Sequence, residues 1–257
     1  MKYKGIVFDW AGTMVDFGCF APTDAFIEAF AHFQVTATIE EARAPMGMAK
    51  RDHICAMITS PRLAKKWAAV QGRGPTQTDI DDIYKVFIRL NEKAAAKHAT
   101  LVPGAYEMLQ ILRKRGLKIG STTGYTRSIM NHVLPVAAEQ GYRPDNLVCS
   151  DDLKKGRPGP LGMYQCCVDL CVHPVDALIK VDDTVPGIEE GVSAGCLTIG
   201  VVMSGNYVGL TPEKLARLSV AERDSKRQYA TKKLEDAGAN YVVDTVADLP
   251  QLLEQLI

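Results

Sequence analysis

The stretch GIVFDWAGT, residues 5–13, decides how the rest of the chain is interpreted. Ile6, Val7 and Phe8 form a short apolar run, and a run of this kind predicts a buried β-strand. The carboxylate of Asp9 follows directly. Ligands of open parallel sheets bind beyond the carboxyl ends of the strands. Asp9 is therefore a candidate functional residue if this strand belongs to such a sheet.

Short apolar runs of the same kind recur along the chain. They cover residues 117–120, 146–149, 178–181, 197–202 and 241–243. From residue 100 onward they alternate with stretches of helical periodicity, at 106–115, 128–140, 187–194 and 250–257. Pro135 should kink or interrupt the second of these helices. Alternating strands and helices predict an α/β fold, with a parallel sheet covered by helices on both faces.

Residues 23–98 follow a different pattern, with apolar positions at helical spacing and no convincing strand. One stripe consists of Phe26, Ile27, Phe30 and Phe33, and the other of Ile80, Ile83, Tyr84, Phe87 and Leu90. Residues 71–78 read as a loop. We therefore predict a core domain of residues 1–20 and 100–257, and a helical cap domain of residues 21–99 inserted after the first strand.

Composition limits the classes of partner. The 30 basic residues equal the 30 acidic ones, so no overall charge favours nucleic acid or an acidic membrane surface. The seven cysteines include no CxxC pair, and we interpret them mainly as buried small apolar residues in a reducing compartment. No apolar segment is close in length to the roughly 20 residues that a membrane-spanning helix needs. We expect a cytoplasmic protein.

Polar residues follow four of the predicted strands. They are Asp9, the STTG stretch at 121–124, the SDD stretch at 150–152 and the DDT stretch at 182–184. Carboxylates bind hard cations such as Mg²⁺ through oxygen. Hydroxyl groups and the backbone N–H groups that glycine exposes bind phosphoryl oxygens. The four strand ends together predict a site for a phosphate group and Mg²⁺.

These motifs, in this order, resemble the haloacid dehalogenase superfamily. The stretches PMGMAKRDHI at 45–54, GSTTGYTR at 120–127 and GRPGP at 156–160 are similar to those of its phosphonatase family, over nearly the whole chain. The resemblance implies a Rossmann-like core with a helical cap. It also implies an Mg²⁺-dependent hydrolase of phosphonoacetaldehyde that serves the breakdown of 2-aminoethylphosphonate, and a homodimer formed through the cap.

The resemblance also implies roles for individual residues. Asp9 would attack phosphorus, Lys50 would form an iminium with the aldehyde, and His53, three residues later on one helical face, would move protons. The metal ligands would be Asp9, Ala11 through its backbone carbonyl, and Asp183. The residues expected to bind the substrate are Gly12, Cys19, Met46, Thr123, Gly124, Tyr125 and Arg157.

Several assignments stay open at this point. Lys154 and Lys155 are alternatives to Arg157 as the phosphate ligand, and Ser121 and Thr122 are as compatible with a turn as with phosphate binding. Met14 and Gly187 depart from the family pattern. Gly187 stands where some members carry an acidic residue that supports the metal. Asp182 or Glu189 could supply that acid instead.

Ala11 distinguishes between reactions. Phosphatases with an Asp-x-Asp motif need the second Asp to protonate an alkoxide leaving group. A phosphonate has no bridging oxygen, so cleavage of its C–P bond needs an electron sink on carbon, which a lysine iminium provides. Lys50 would have to be partly neutral, with a pKa below the usual value of about 10.4. The alternatives are a phosphate-ester hydrolase or phosphomutase, and a catalytically silent binding module.

Overall fold

The protein is described by a computed structural model that covers residues 2–256. Within this range five strands form one parallel sheet in the order β2-β1-β3-β4-β5. The strands are β1 (Gly5–Phe8), β2 (Lys118–Ser121), β3 (Leu178–Asp182), β4 (Leu197–Val201) and β5 (Tyr241–Val243). Every residue of β1 and β3 is buried, as expected for central strands that are covered on both faces.

The register of the central strands sets the position of the polar strand ends. Phe8 of β1 lies opposite Ser121 of β2 on one side and Val181 of β3 on the other. Asp9 follows Phe8, and it therefore lies at the same edge of the sheet as the residues that end β2 and β3. This edge is the carboxyl end of the sheet, where ligands of parallel sheets bind.

Six helices lie between β1 and β2. They are α1 (Phe20–His32), α2 (Ile39–Arg43), α3 (Lys50–Ile58), α4 (Pro61–Gln71), α5 (Gln77–Lys97) and α6 (Ala105–Lys114). No strand lies between the first five of these helices, which confirms the predicted all-helical insertion. Capping boxes fix the starts of α2 and α5, at Thr38 with Glu41 and at Thr76 with Asp79. The domain limits at residues 21 and 99 stay predictions.

Aromatic packing holds the inserted helices together. Phe26 of α1 stacks on Phe87 of α5, with ring centroids 4.1 Å apart, and on His53 of α3, at 3.7 Å. Aromatic pairs add about 0.5–1.5 kcal/mol beyond the area they bury. The same packing holds α3 against α1, and Lys50 is the first residue of α3.

The remaining helices cover the sheet. They are α7 (Arg127–Glu139), α8 (Leu161–Leu170), α9 (Val185–Ala194), α10 (Pro212–Ala216), α11 (Val220–Asp236) and α12 (Leu249–Leu256), with short 3₁₀ turns at Val175–Ala177 and Val246–Asp248. This arrangement confirms the predicted α/β fold. The helix α7 runs through Pro135 without a break in the element, so the expected interruption is absent. Ile257, the expected last residue of the final helix, lies outside the described residues.

One predicted strand is wrong. Residues 146–149 form only an isolated bridge, in which Val148 pairs with Thr122 beside β2. The side chains of the neighbouring residues explain the difference, because Asp145 accepts a hydrogen bond from the N–H of Ile119 and Asn146 accepts one from the N–H of Ser121. Side-chain oxygens therefore take the N–H groups of β2 that a sixth strand would need.

All seven cysteines in the described part of the chain are free, and Cys19, Cys149, Cys166 and Cys196 are buried. The interpretation of the cysteines as mainly apolar packing residues fits these four. Among residues 2–256, every helix is too short or too polar to cross a membrane.

The two chain segments that join the insertion to the sheet run side by side. The N–H of Val102 donates to the carbonyl of Met14 at 2.9 Å. The Asp16 carboxylate accepts hydrogen bonds from the N–H groups of Phe20 and Ala21 at the start of α1. Asp16 also lies 3.4 Å from Nδ1 of His98, just after α5, so one carboxylate contacts both connections.

The contact between His98 and Asp16 predicts a pH-dependent contribution to stability. Contact with the Asp16 carboxylate raises the pKa of His98. The protonated pair therefore stabilises the fold below the unfolded histidine pKa of about 6.5, and the contribution is lost as pH rises through the higher folded pKa. We expect His98→Gln to lower the free energy of unfolding by up to about 1 kcal/mol at pH 6, and by much less at pH 8.5.

Urea unfolding at both pH values measures this difference. The exposed Asn131 provides the control, since Asn131→Gln removes no ionisable group and should have the same small effect at both pH values. A loss for His98→Gln that does not change with pH would show that the ion pair contributes nothing.

Candidate active site

A small cavity opens at the carboxyl edge of the sheet, beneath the loop that precedes α3. It brings together nine of the residues predicted from the sequence, namely Asp9, Ala11, Cys19, Met46, Lys50, Thr123, Gly124, Tyr125 and Arg157. Pro22, Gly47 and Thr184 complete its lining. Gly12, His53 and Asp183 lie outside the lining. Residues from both the insertion and the sheet therefore face one space.

Asp9 and Arg157 form a buried ion pair at the floor of the cavity. Nη1 of Arg157 lies 2.8 Å from Oδ1 of Asp9, and both side chains are less than a tenth exposed. Burial, and secondly repulsion by Asp182, raise the pKa of Asp9 to about 6 in spite of Arg157. Lys154 and Lys155, the alternatives to Arg157, are exposed to solvent. The basic group beside Asp9 is thus Arg157.

Three carboxylates meet at the same point. Among the described residues, Asp9, Asp182 and Asp183 offer oxygen atoms within 4.8 Å of one another, and all three side chains are buried. Asp183 accepts hydrogen bonds of 2.8 Å from the Thr13 hydroxyl and from the N–H of Asn206. Burial, together with the charges of Asp9 and Asp182, raises the pKa of Asp183 well above its usual value.

The charges around this trio fit a divalent cation. Glu190 is a fourth buried carboxylate nearby, whereas the only cations in contact with the four, among the described residues, are Arg157 and Lys180. The formal charge of this buried group is therefore −2. Hard divalent cations prefer carboxylate oxygens, and one such ion would compensate the excess.

Gly12 keeps space for the carboxylates. It has a φ of +90°, and a Cβ at this position would overlap the carboxyl group of Asp183. A left-handed backbone and the absence of a side chain are both needed here. Gly12 therefore permits the close approach of Asp183, and its role as a substrate ligand stays a prediction.

Lys50 lies at the top of the cavity, as the first residue of α3. It is 4% exposed, and its Nζ lies 5.0 Å from the centroid of the Tyr125 ring and 5.7 Å from that of Phe26. Burial lowers the pKa of Lys50 to about 8, although nearby carboxylates act in the opposite direction. A substantial fraction of this amine is neutral near pH 8, as a nucleophilic lysine requires.

His53 lies one turn after Lys50 but does not reach the cavity. Its Nε2–H donates to the carbonyl of Ala42 at 2.9 Å, and Nδ1 has no partner among the described residues. Burial, and secondly the charge of Lys50, hold the pKa of His53 well below its usual value, so the ring is neutral. Its role in proton transfer stays a prediction.

Two glycines allow the loop before α3 to lie directly on the core. A Cβ at Gly124 would lie 2.8 Å from the carbonyl oxygen of Met48, and one at Gly47, where φ is +95°, would overlap the Thr184 hydroxyl group. Because Lys50 follows this loop, the close contact determines how far the lysine lies from Asp9. Thr123 is fixed by accepting a hydrogen bond from the N–H of Tyr125 at 3.0 Å.

Gly187 and Asp182 are complementary. A Cβ at Gly187 would overlap the carboxyl group of Asp182, so no larger residue fits at position 187 while Asp182 is present. Oδ1 of Asp182 accepts hydrogen bonds from the N–H and the hydroxyl of Thr184. Asp182 therefore occupies the space of the acidic residue expected at 187. Glu189 is not part of the carboxylate trio.

Other strand-end residues do not belong to the site. Asp151 accepts a hydrogen bond from the N–H of Arg127 at the start of α7, and Asp152 pairs with the Arg127 side chain. The SDD stretch therefore caps a helix, and its assignment to the metal site is wrong. Conversely, the sequence analysis missed Lys180 and Glu190, and it left Thr122 undecided. All three contact one another beside Arg157.

Comparisons with known proteins agree with this geometry. Residues 3–195 match the family of haloacid dehalogenase-like hydrolases. A phosphonoacetaldehyde hydrolase of Paraburkholderia phytofirmans is 47% identical over 97% of this chain and 94% of its own length. One from Bacillus cytotoxicus is 40% identical over 100% of this chain and 97% of its own. The crystal structure of a phosphonoacetaldehyde hydrolase-like protein from Oleispira antarctica, 41% identical, matches with a TM-score of 0.98 over 100% of this chain and 93% of that chain.

The complementarity of Gly187 and Asp182 predicts non-additive effects on stability. Gly187→Ala should lower the free energy of unfolding by about 1–3 kcal/mol, because the new methyl group overlaps the Asp182 carboxyl group. In an Asp182→Gly background the same change should cost much less. Denaturant unfolding of the four proteins measures the cycle. Gly74→Ala is the control, since a Cβ at Gly74 meets no atom within 4 Å. Equal costs in both backgrounds would contradict the overlap.

Proposed function

The chain belongs to the haloacid dehalogenase-like hydrolases and, within them, to the phosphonoacetaldehyde hydrolase family, and we propose that it hydrolyses phosphonoacetaldehyde to acetaldehyde and phosphate. One observation carries the proposal: a buried lysine of lowered pKa, Lys50, and a buried carboxylate, Asp9, line the same cavity. Ala11 lines it too, at the position where an ester phosphatase has its acid.

The proposed reaction begins on the carbon side of the substrate. The neutral amine of Lys50 attacks the aldehyde carbon, and loss of water gives an iminium. The low pKa of Lys50 favours this step, because more of the amine is neutral at a given pH. The iminium supplies the electron sink that the C–P bond needs, since simple cleavage would leave a carbanion.

The second part takes place at phosphorus. Asp9 attacks phosphorus as the C–P bond breaks, and the bonding electron pair moves into the iminium to give an enamine. Asp9 then carries an aspartyl-phosphate, which water hydrolyses to release phosphate. Protonation of the enamine carbon and hydrolysis of the resulting iminium release acetaldehyde and regenerate Lys50. Thr123, Gly124 and Arg157 line the cavity around Asp9 and are the proposed ligands of the phosphonyl oxygens.

Haloacid dehalogenase-like hydrolases generally use a divalent metal ion, and we propose Mg²⁺ for this chain. Asp9, Asp183 and the backbone carbonyl of Ala11 would hold it, with Asp182 as the nearby third carboxylate. A bound Mg²⁺ would neutralise part of the negative charge that opposes the approach of a carboxylate to a phosphonate. The Thr13 hydroxyl and the Asn206 N–H keep Asp183 oriented toward this position.

The phosphate-ester hydrolase or phosphomutase stays the alternative. An ester substrate would need an acid for the leaving oxygen, and Ala11 cannot provide one. Strong activity on a panel of sugar phosphates, with none on phosphonoacetaldehyde, would favour this alternative. A role in 2-aminoethylphosphonate breakdown, a cytoplasmic location and a homodimer also stay predictions from the sequence.

Covalent trapping tests the role of Lys50. Borohydride added with phosphonoacetaldehyde should reduce the iminium and leave a stable adduct on Lys50, located by peptide mass spectrometry. Lys50→Arg should abolish the adduct and lower kcat/KM by about 1,000-fold or more, as the loss of a covalent nucleophile does in other enzymes. The exposed Lys154 provides the control, because Lys154→Arg should leave both unchanged. Near-normal turnover by Lys50→Arg would exclude the iminium mechanism.

Thermal unfolding tests the metal site without activity. Binding at 100 times the dissociation constant stabilises a protein by about 2.7 kcal/mol, so saturating Mg²⁺ should raise the unfolding midpoint. Asp183→Asn should abolish this increase, whereas Glu189→Gln, next to the site but outside the carboxylate trio, should retain it. An unchanged response to Mg²⁺ in Asp183→Asn would place the ion elsewhere.

A further inference from the structure

We propose that Glu190 is a positioning residue that holds the Arg157 guanidinium in the orientation in which it binds the phosphonyl group. The inference rests on the proposed function for the identity of the substrate, although it concerns the recognition of any phosphate-like dianion in the cavity. Glu190 lies on α9 and is 2% exposed; it lines an adjoining small cavity with Thr122 and Arg157, and not the cavity that contains Asp9 and Lys50. It acts through Arg157 and does not touch the substrate.

One carboxylate oxygen of Glu190 contacts side chains from three separate parts of the fold. Its Oε2 accepts hydrogen bonds from the Thr122 hydroxyl at 2.7 Å and from Nε of Arg157 at 3.0 Å, and it lies 3.0 Å from Nζ of Lys180. Thr122 follows β2, Arg157 lies in the loop before α8, and Lys180 belongs to β3. Glu190 therefore ties the Arg157 loop to two strands of the sheet.

These contacts fix one side of the guanidinium and direct the other side toward the cavity floor. Nε donates to Glu190, and Nη2 donates to the carbonyl and the hydroxyl oxygen of Thr122, at 2.9 and 2.7 Å. Nη1 lies 2.8 Å from Oδ1 of Asp9 and 3.3 Å from Oδ2 of Asp182. The nitrogen that is not held by Glu190 or Thr122 is therefore the one beside the nucleophile, where the oxygens of the transferred group would bind.

The local packing is adapted to the Glu190 side chain. A Cβ at Gly162 would overlap Oε1 of Glu190. A Cβ at Gly191 would lie 2.7 Å from Cβ of Lys180. Gly162 therefore lets α8 approach the Glu190 side chain, and Gly191 lets α9 approach Lys180. The close packing leaves the Glu190 carboxylate little freedom to move, as a residue that positions Arg157 requires.

A purely structural role is the competing explanation. Lys180 is fully buried in the middle of β3, and Glu190 could serve only to neutralise it. The two explanations differ when both charges are removed. Glu190→Gln combined with Lys180→Met restores the charge balance of the buried group, but it does not restore the carboxylate that holds Nε of Arg157.

The experiment measures the binding of inorganic phosphate, in the presence of Mg²⁺, by titration calorimetry, together with the thermal unfolding midpoint. Glu190→Gln should weaken phosphate binding by about 10-fold or more, because an amide oxygen replaces the charged acceptor and holds the guanidinium less firmly. The double variant should recover thermal stability relative to the single variants, while it binds phosphate about 10-fold or more weakly than Lys180→Met, the reference that accounts for the loss of the Lys180 charge beside Asp182. Glu189→Gln is the matched control and should bind phosphate as the wild-type protein does.

Wild-type phosphate affinity in Glu190→Gln, or the affinity of Lys180→Met in the double variant, would overturn the proposal. If Glu190→Gln does not fold, the charge-balanced double variant decides alone. Absence of phosphate binding by the wild-type protein would also overturn it. Failure of the proposed function gives a different result: the wild-type protein would bind phosphate and the variants would not, but no phosphate would be released from phosphonoacetaldehyde.

Discussion

An excess of buried negative charge at the carboxyl edge of the sheet is the constraint on which the site depends. The carboxylates belong to Asp9, Asp182, Asp183 and Glu190, and the cations in contact with them are Arg157 and Lys180. Burial makes charge separation costly, because the interior screens charges poorly. The group is therefore stable only with protons or with a cation. The raised pKa values of Asp9 and Asp183 follow from this excess of negative charge together with burial.

The fold places the acids, the phosphate-binding residues and the lysine around one cavity. Parallel register brings the ends of β1, β2 and β3 to one edge, so that the acids and the phosphate-binding residues need only short loops. The helical insertion approaches from the opposite side and contributes an amine on the first residue of α3. Direct contact between the loop before α3 and the STTG stretch, through Gly47 and Gly124, sets the separation between these two halves.

The sequence predicted those features that depend on local patterns. Apolar periodicity predicted the strand runs and the helical insertion, and strand-end motifs predicted Asp9, Thr123 and Gly124. The other six predicted cavity residues, Lys50 among them, came from the resemblance to the phosphonatase family. The strand at 146–149 was wrong because the side chains of Asp145 and Asn146 compete with the backbone for the N–H groups of β2. Lys180 did leave a signal, a charge inside an apolar strand, which indicates a buried partner. Glu190 left none, because its contacts join segments that are 33 and 68 residues away.

The complementarity of Gly187 and Asp182 has a consequence for how such sequences diverge. Since one volume holds a single carboxyl group, a homologue can carry the acid at the position of residue 182 or at that of residue 187, but an ancestor could not have exchanged them one at a time without cost. An intermediate with both acids is sterically overfilled, and one with neither lacks a charge beside the nucleophile. These two sites should therefore vary together across the family, and a substitution inherited alone should be rare.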